Sequence, residues 1–304
     1  MSQTPLPTKS SSHEQTEPRA RRLRRFFAAS LALIALSLGA FALVQALKIA
    51  SSALERAKAA RDRPRYVVMR AIDSVRIDGV LDEESWKNAP STGDFRQSKD
   101  SEQPKSRTEA KLLWDDEYLY VAFHCADAEI VGQLTERDDK LWEEEAVEVF
   151  LAPSAPERFG YTEIEISPAN TILDLYVREA PDASPVALPY HTYNLAIRSA
   201  VRIAGALNNS SQPDTSWTVE IAIPLRDIQL AGAPPIQDGD EWALNLYRIE
   251  RFPRLELSAW SPTGRNKFHI PERFGAAVFS RMPAGAQKIS RRELIKRSRY
   301  NKKE

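Results

Sequence analysis

The sequence has little that would support catalysis, metal binding or disulfide stabilisation. A single cysteine, Cys125, occurs in 304 residues, which excludes a disulfide framework and a paired-cysteine metal or redox site. Its place in an apolar strand pattern predicts a buried, inert thiol. The four histidines show no metal-ligand spacing, and no GxSxG, HExxH or phosphate-loop motif is present. The common hydrolase, metalloenzyme and nucleotide-binding classes therefore have no sequence support.

Net charge is also absent, since 42 basic and 42 acidic residues cancel, but the charges are unevenly distributed. Residues 66–280 hold 21 basic and 36 acidic residues, a net charge of about −15, whereas both ends of the chain are basic. A body this acidic repels phosphate backbones, so we expect no nucleic-acid partner. Residues 1–25 and 281–304 are predicted to be basic tails, the first of them disordered.

One long uncharged run is present, from Phe26 to Leu47. A helix of 22 residues rises about 33 Å, enough to cross the hydrocarbon of a bilayer, so residues 26–47 are predicted to form a transmembrane helix. Five arginines precede the run, and the positive-inside rule then places the N-terminus in the cytoplasm and the body outside it, in the periplasm or extracellular space. A cleaved signal peptide is the alternative, because residues 40–42 read Ala-Phe-Ala. Residues 48–65, rich in helix formers up to Pro64, are predicted to form a helical stalk.

From Tyr66 onward, short stretches of alternating apolar and polar residues indicate β-strands. Strands are predicted at 66–71, 108–114, 118–125, 147–151, 161–167, 171–177, 195–205, 217–223, 242–247, 256–261 and 274–280. Short helices are predicted near 82–87, 139–144 and 225–228. Residues 66–280 are therefore predicted to be all-β, an antiparallel β-sandwich of the jelly-roll kind.

Several sequence blocks in this body resemble the family 9 carbohydrate-binding modules. The blocks, in the order that the family has them, are IDGVLDE at 77–83, LWDDEYLYVAF at 113–123, EAVEVFLAP at 145–153, SWTVEIAIP at 216–224, NLYR at 245–248, AWSP at 259–262 and FHIPERFG at 268–275. Each block is weak alone, but the ordered set is specific and spans nearly the whole body. The resemblance implies a β-sandwich fold and a carbohydrate ligand.

The resemblance also implies that two aromatic side chains sandwich a sugar ring, and Trp142 and Trp260 best match those positions. An apolar sugar face stacks on an aromatic ring, and its hydroxyl groups require carboxylates, amides or guanidinium groups. Alternatives stay open for both: Trp142 could anchor a short helix to the sheet edge, and Trp260 could be a core residue.

The polar residues opposite the apolar strand faces are Glu148, Glu220, Asn245 and Arg248. Glu148, Asn245 and Arg248 are predicted to contact the sugar hydroxyls, although such rows are often solvated faces with cross-strand ion pairs. An acidic run formed by Asp138, Asp139, Glu143, Glu144 and Glu145 could hold a structural calcium, or could be a solvated turn. No other cofactor is expected.

The function predicted from the sequence is that of a membrane-tethered, non-catalytic carbohydrate-binding protein, which could serve a separate glycoside hydrolase in polysaccharide capture. The first alternative is a glycoside hydrolase or lyase, which would need a marked pair of carboxylates that the sequence does not show. The second is a module on the same sandwich that binds haem or a protein instead of sugar.

Overall fold

The computed structural model describes residues 19–153, 160–179, 185–187, 193–228 and 235–286. Most of the two predicted tails, residues 1–18 and 287–304, therefore lies outside the described residues. The chain divides into two compact units, residues 1–58 and 59–304.

Helix α1, Arg19–Asp62, contains the whole uncharged run. Many of its apolar side chains are exposed, including those of Phe26, Leu36 and Phe41. Among the described residues, no helix combines the length and the apolar composition that crossing a bilayer requires. The transmembrane helix stays a prediction, as do the domain bounds along the chain.

The second unit is mostly β-structure, and the predicted all-β class is confirmed. Its strands are β1 Arg65–Arg70, β2 Arg96–Gln97, β3 Thr108–Trp114, β4 Tyr118–Ala126, β5 Ala146–Ala152, β6 Tyr161–Ile166, β7 Ile172–Glu179, β8 Pro185–Ala187, β9 Arg198–Ala204, β10 Ser216–Pro224, β11 Glu241–Glu250, β12 Glu256–Ala259 and β13 Gly275–Pro283. Helices α2, Glu84–Asn88, and α3, Leu225–Ile228, and 3-10 turns at Leu141–Glu143 and Pro271–Arg273 connect them. Every strand predicted from period-two alternation is present.

Two details of the predicted architecture differ. The described strands form one continuous sheet, in the order β8-β7-β6-β5-β11-β13-β1-β3-β4-β10-β9, rather than two separate sheets. The sheet is also not wholly antiparallel, because β1 pairs in parallel with both β13 and β3. Two parallel strands cannot be joined by a hairpin and need a long crossover connection. Residues 71–107 form this connection between β1 and β3.

The sheet curls, so that its two halves share one inner core. Side chains from β3, β4 and β10 pack in the same cluster as side chains from β5, β6 and β11. Three of the largest fully buried residues, Trp114, Trp217 and Phe123, lie in this cluster. Cys125 is buried there as a free thiol, and burial raises its pKa to about 11.

Each sheet half also buries part of its outer face. The segment with Trp86 covers the β3–β4–β10 half, where Glu220 accepts hydrogen bonds from the backbone N–H groups of Asp78 (3.0 Å) and Gly79 (2.7 Å) and from the Trp86 indole N–H (2.7 Å). Gly79 has φ +81°, and a Cβ there would lie 2.9 Å from the backbone nitrogen of Arg202. Glu220, one of the polar residues considered for sugar contacts, thus anchors the covering segment.

We predict that Glu220→Ala strongly destabilises the domain. The substitution leaves two buried donors and one part-buried donor without a partner, which should cost about 3 kcal/mol and lower the Tm by about 10 °C. The measurement is a thermal melt followed by circular dichroism. Glu117→Ala, at an exposed turn carboxylate, is the control and should change stability by less than about 0.5 kcal/mol. Equal melts for the two variants would show that Glu220 does not hold the segment.

Candidate functional site

A cavity of about 410 Å³ opens on the outer face of the half formed by β5, β6, β7 and β11. Strand side chains form its floor and loop side chains form its walls. The lining residues are Trp142, Glu148, Glu163, Glu165, Leu175, Val177, Ile249, Arg251, Leu255, Leu257, Lys267, Phe268 and His269. This mixture of apolar walls and a few polar groups is typical of a ligand site.

The alternation of side chains along the strands determines which residues reach this floor. Val147 and Val149 point into the inner core, whereas Glu148 between them points to the outer face. Glu148 lies opposite Glu165 on β6. Glu163, two residues before Glu165 on the same strand, points to the same face. Three carboxyl groups therefore lie side by side on the floor of the cavity.

These carboxyl groups are buried and incompletely bonded. Glu148, Glu163 and Glu165 expose 2%, 3% and 1% of their surface. Four of their oxygens have no hydrogen-bond donor among the described residues: Oε2 of Glu148, Oε2 of Glu163 and both carboxyl oxygens of Glu165. The Glu163 and Glu165 carboxyl groups interact with each other, as a protonated acid can with a neighbouring carboxyl group. Unsatisfied buried acceptors are costly and rare in folded proteins, and at a cavity they indicate a ligand that donates hydrogen bonds.

The same burial alters how these groups ionise. Desolvation raises the pKa of Glu163 to about 7. The pKa values of Glu148 and Glu165 are also raised well above the ordinary value, by burial first and then by the negative charge of neighbouring carboxylates. Perturbed carboxyl groups that line a cleft are a recurrent sign of a functional site.

An aromatic cluster supports the loop wall of the cavity. Phe268 stacks on Tyr247 with ring centroids 4.1 Å apart, and the Tyr247 hydroxyl donates to the Phe268 carbonyl (3.0 Å). His269 places Nδ1 at 2.7 Å from the Tyr161 hydroxyl, and burial lowers the pKa of its imidazole to about 4. His269 is therefore neutral at physiological pH.

The structure places two of the five predicted ligand-binding residues at this cavity. Glu148 lies on the floor, and Trp142, on the 3-10 turn before β5, forms part of the wall. The backbone carbonyl of Trp142 accepts a hydrogen bond from the Arg251 guanidinium, which joins this turn to the end of β11. Trp142 also packs against the outer aromatic cluster.

The other three predicted residues lie elsewhere. Trp260 packs against the inner core, and its ring lies over Gly275, where a Cβ would approach it to 2.5 Å. The two tryptophans therefore do not flank one cavity.

Asn245 is fully buried, and its side-chain amide donates to the Tyr247 hydroxyl (2.7 Å) and the Ser261 carbonyl (2.8 Å). Asn245 thus supports the aromatic cluster from below.

Arg248 occupies a separate buried charge cluster at the edge of the inner core. Its Nη2 donates to Asp127 and to Glu250, both at 2.7 Å, and its guanidinium lies 5.2 Å from the Trp217 ring centroid. Carboxyl oxygens of Asp127, Glu145 and Glu250 lie within 4.8 Å of one another, a spacing that could hold a metal ion. The Arg248 guanidinium already supplies positive charge there.

The acidic run considered for calcium is not gathered around one point. Glu144 accepts hydrogen bonds from the backbone of Gln133 and Leu134, and Asp139 accepts one from Glu136. Glu143 is an exposed neighbour of Lys140, and only Glu145 joins the buried cluster with Asp127 and Glu250. A structural calcium on this run stays a prediction.

Comparison with known proteins identifies the family of the domain. The sequence model of the family described as "Carbohydrate family 9 binding domain-like" matches residues 77–281, about two thirds of the chain. The chain belongs to this family. The resemblance of the ordered sequence blocks is thus confirmed over the same region.

Individual relatives of this family 9 domain are distant. An "Extracellular protein" of Arthroderma benhamiae is 23% identical over 197 residues, covering 61% of this chain and 84% of that protein. A candidate carbohydrate-binding protein of Bacteroides uniformis aligns with a TM-score of 0.58 and 17% identity, over 72% of this chain and all of its own. A family 9 module of Caldicellulosiruptor kristjanssonii, solved with cellotriose, aligns with a TM-score of 0.45 and 16% identity over 72% and 94% of the two chains.

Sequence reasoning missed most of the polar residues of the cavity in this family 9 domain. Glu163 and Glu165 alternate with the core residues Ile164 and Ile166, so a period-two carboxyl row next to the Glu148 strand was a usable signal. In the sequence, His269 stands out only as part of the FHIPERFG block at 268–275. Nothing in the local pattern around Arg251 or Phe268 indicates a cavity wall.

We predict that Glu163 makes stability depend on pH. The folded domain keeps the Glu163 proton up to about pH 7, whereas the unfolded chain releases it near the usual value of 4.5. Stability should therefore fall as the pH rises from 4.5 through 7, by about 1.4 kcal/mol per pH unit for each proton that the folded state retains. Denaturant unfolding at pH 5, 6 and 7 measures the slope.

The matched variant is Glu163→Gln, which keeps the shape of the side chain and removes its proton release. Between pH 5 and 7, the stability of this variant should fall less steeply than that of the wild type. The difference between the two slopes should correspond to about one proton. An unchanged slope would contradict the assignment of a pKa near 7 to Glu163.

Proposed function

We propose that the cavity of this family 9 domain is a carbohydrate-binding site. The observation that carries the proposal is the row of buried carboxyl oxygens without partners beside the partly exposed Trp142 ring. Sugar hydroxyls are donors that would satisfy these acceptors, and an apolar sugar face would cover the ring. Family membership supports the same ligand class, since the matched family is described as a carbohydrate-binding domain.

Binding without catalysis agrees best with the arrangement of the carboxyl groups. Glycoside hydrolysis needs two carboxyl groups on either side of the scissile bond, at separations of roughly 5 to 9.5 Å. Glu148, Glu163 and Glu165 all belong to one sheet face. The loop walls, as far as they are described, contribute Trp142, Leu255 and residues 267–269, none of which has a carboxyl side chain.

We further propose that the domain is tethered to a membrane and lies outside the cytoplasm. The uncharged run Phe26–Leu47, its arginine-rich N-terminal flank and the exposed apolar side chains of α1 support this placement. The description of the Arthroderma relative as an extracellular protein is in accord with it. A separate glycoside hydrolase could act on polysaccharide that the tethered domain holds.

The site is tested by comparing Trp142→Ala with Trp260→Ala. Loss of the Trp142 ring should weaken sugar binding at least about tenfold with little change in Tm, because a stacking platform contributes about 1 kcal/mol beyond the area it buries. Trp260→Ala should instead lower stability by about 3 kcal/mol and leave affinity nearly unchanged below its Tm. Titration calorimetry of the full-length chain with soluble oligosaccharides, chosen by a glycan array, and a thermal melt measure both quantities.

Normal sugar binding by Trp142→Ala would refute the assignment of this cavity. A release of reducing sugar by the wild-type chain from the same oligosaccharides would instead favour the hydrolase alternative.

The tether is tested by protease treatment of intact spheroplasts from cells that express the full-length chain. The body from residue 66 onward should be digested without lysis, and the N-terminal residues should stay with the membrane fraction. A cytoplasmic marker protein is the control for lysis. Full protection of the body would refute the proposed orientation.

A further inference from the structure

The floor of the cavity has an unusual electrostatic property, because its three carboxyl groups lack a cationic partner. Among the described residues, no lysine or arginine forms an ion pair with Glu148, Glu163 or Glu165. The nearest titratable base is His269, whose Nδ1 lies 3.9 Å from Oε2 of Glu163 and is hydrogen bonded to the Tyr161 hydroxyl. Within the described part of the chain, the three carboxyl groups of the floor thus have no lysine or arginine as an ion-pair partner.

Two basic residues line the cavity, and neither forms an ion pair with the carboxyl groups of the floor among the described residues. Arg251 donates from its guanidinium to the Trp142 backbone carbonyl. Lys267 is exposed on the loop wall. Tyr161 and Tyr247, the remaining titratable groups of the adjoining aromatic cluster, are neutral hydroxyls that already take part in hydrogen bonds.

The buried charge cluster around Arg248 shows how the same fold treats carboxylates that have a structural role. There, Asp127 and Glu250 each lie 2.7 Å from the guanidinium. Buried carboxylates normally require such a partner, since an unpaired buried charge is strongly destabilising. Burial and the lack of such a cation among the described residues favour the protonated form of the cavity carboxyl groups, whereas a cation from outside the chain would favour their ionised form.

A positively charged hydrogen-bond donor meets both requirements of the floor. An ammonium group offers three donors to the acceptors without partners, and it compensates their charge when they ionise. The aromatic wall is favourable to the same group, because a cation is attracted to the face of a tryptophan ring. A neutral sugar would satisfy hydrogen bonds only, and a uronic acid or sulfated sugar would add repulsion.

We propose that the cavity binds a sugar that carries a free ammonium group, such as a glucosamine unit of a partly or fully deacetylated polymer. This inference rests on the proposed carbohydrate-binding function and specifies its ligand class. The net charge of about −15 on residues 66–280 agrees with it, because an acidic body attracts a polycationic chain over distances beyond direct contact.

The experiment compares three β-1,4-linked trisaccharides by titration calorimetry with the full-length chain: the glucosamine trimer, its N-acetylated form and cellotriose. They share the linkage and differ at the carbon that carries the amino, acetamido or hydroxyl group. We expect the glucosamine trimer to bind about tenfold or more tightly than the other two at pH 6.5. Raising NaCl from 50 to 500 mM should weaken binding of the glucosamine trimer and leave cellotriose nearly unaffected.

The variants Glu163→Gln and Glu165→Gln keep the shape of the floor but remove the carboxyl groups that could ionise when a cation binds. Each should lower the affinity for the glucosamine trimer about tenfold and that for cellotriose by much less. Glu117→Gln, at an exposed carboxylate on the turn between β3 and β4, is the matched control and should bind like the wild type. Thermal melts establish that each variant is folded under the conditions of the titration.

The outcomes separate this inference from the function on which it rests. Equal or tighter binding of cellotriose or of the N-acetylated trimer overturns the ammonium inference and leaves sugar binding intact. Loss of the amino-sugar preference only in the floor variants supports the inference. If none of these sugars nor any sugar on a glycan array binds, the proposed function and the inference both fail.

Discussion

The structure depends on the burial of both faces of the sheet half that contains β5, β6 and β11. On its inner face, Val149, Ile164 and Leu246 pack in the core shared with the opposite half of the curled sheet. On its outer face, Phe150, Tyr161 and Tyr247 pack beneath the loops around residues 142 and 268. Polar residues on either face of these strands therefore cannot reach bulk solvent and must find partners within the fold or in a ligand.

The fold answers this constraint in two ways. At the edge of the inner core, Arg248 compensates Asp127 and Glu250, and Glu145 is kept protonated, its pKa raised to about 10 by burial and by the negative charge of those neighbours. On the outer face, the carboxyl groups at 148, 163 and 165 have no such cation among the residues that the structure describes, and they border a cavity instead. Both clusters keep buried polar atoms without a hydrogen-bond partner among the described residues, including Nε and Nη1 of Arg248 and Oε1 of Glu145 in the first. The second cluster differs because it contains no cation and because its acceptors line the cavity, where a ligand can reach them.

The outer aromatic cluster links these polar floor residues to the loops that enclose them. Asn245 bonds to the Tyr247 hydroxyl, which also bonds to the Phe268 carbonyl, while the Phe268 ring stacks on the Tyr247 ring. Arg251 attaches the Trp142 turn to the same region. Residues such as Asn245 that read from sequence as candidates for ligand contact thus help to hold the wall and floor of the cavity in place. A wall built on strand residues in this way keeps its position better than a free loop.

The sequence by itself determined the all-β class, the positions of the strands and the family, and its candidates for ligand contact included Trp142 and Glu148, which line the cavity. These follow from local information, because period-two alternation and ordered motifs are written within each segment of chain. Only the tertiary structure decided that β1 lies between parallel neighbours, that Trp260 belongs to the inner core, that Arg248 is neutralised by carboxylates and that Glu163 and Glu165 share the floor with Glu148. Those outcomes depend on which strands become neighbours and on how far loops cover the sheet. A pattern read along one strand indicates which side chains share a face. The residues that contact that face can lie about a hundred residues away in the sequence, as Asp127 does from Arg248.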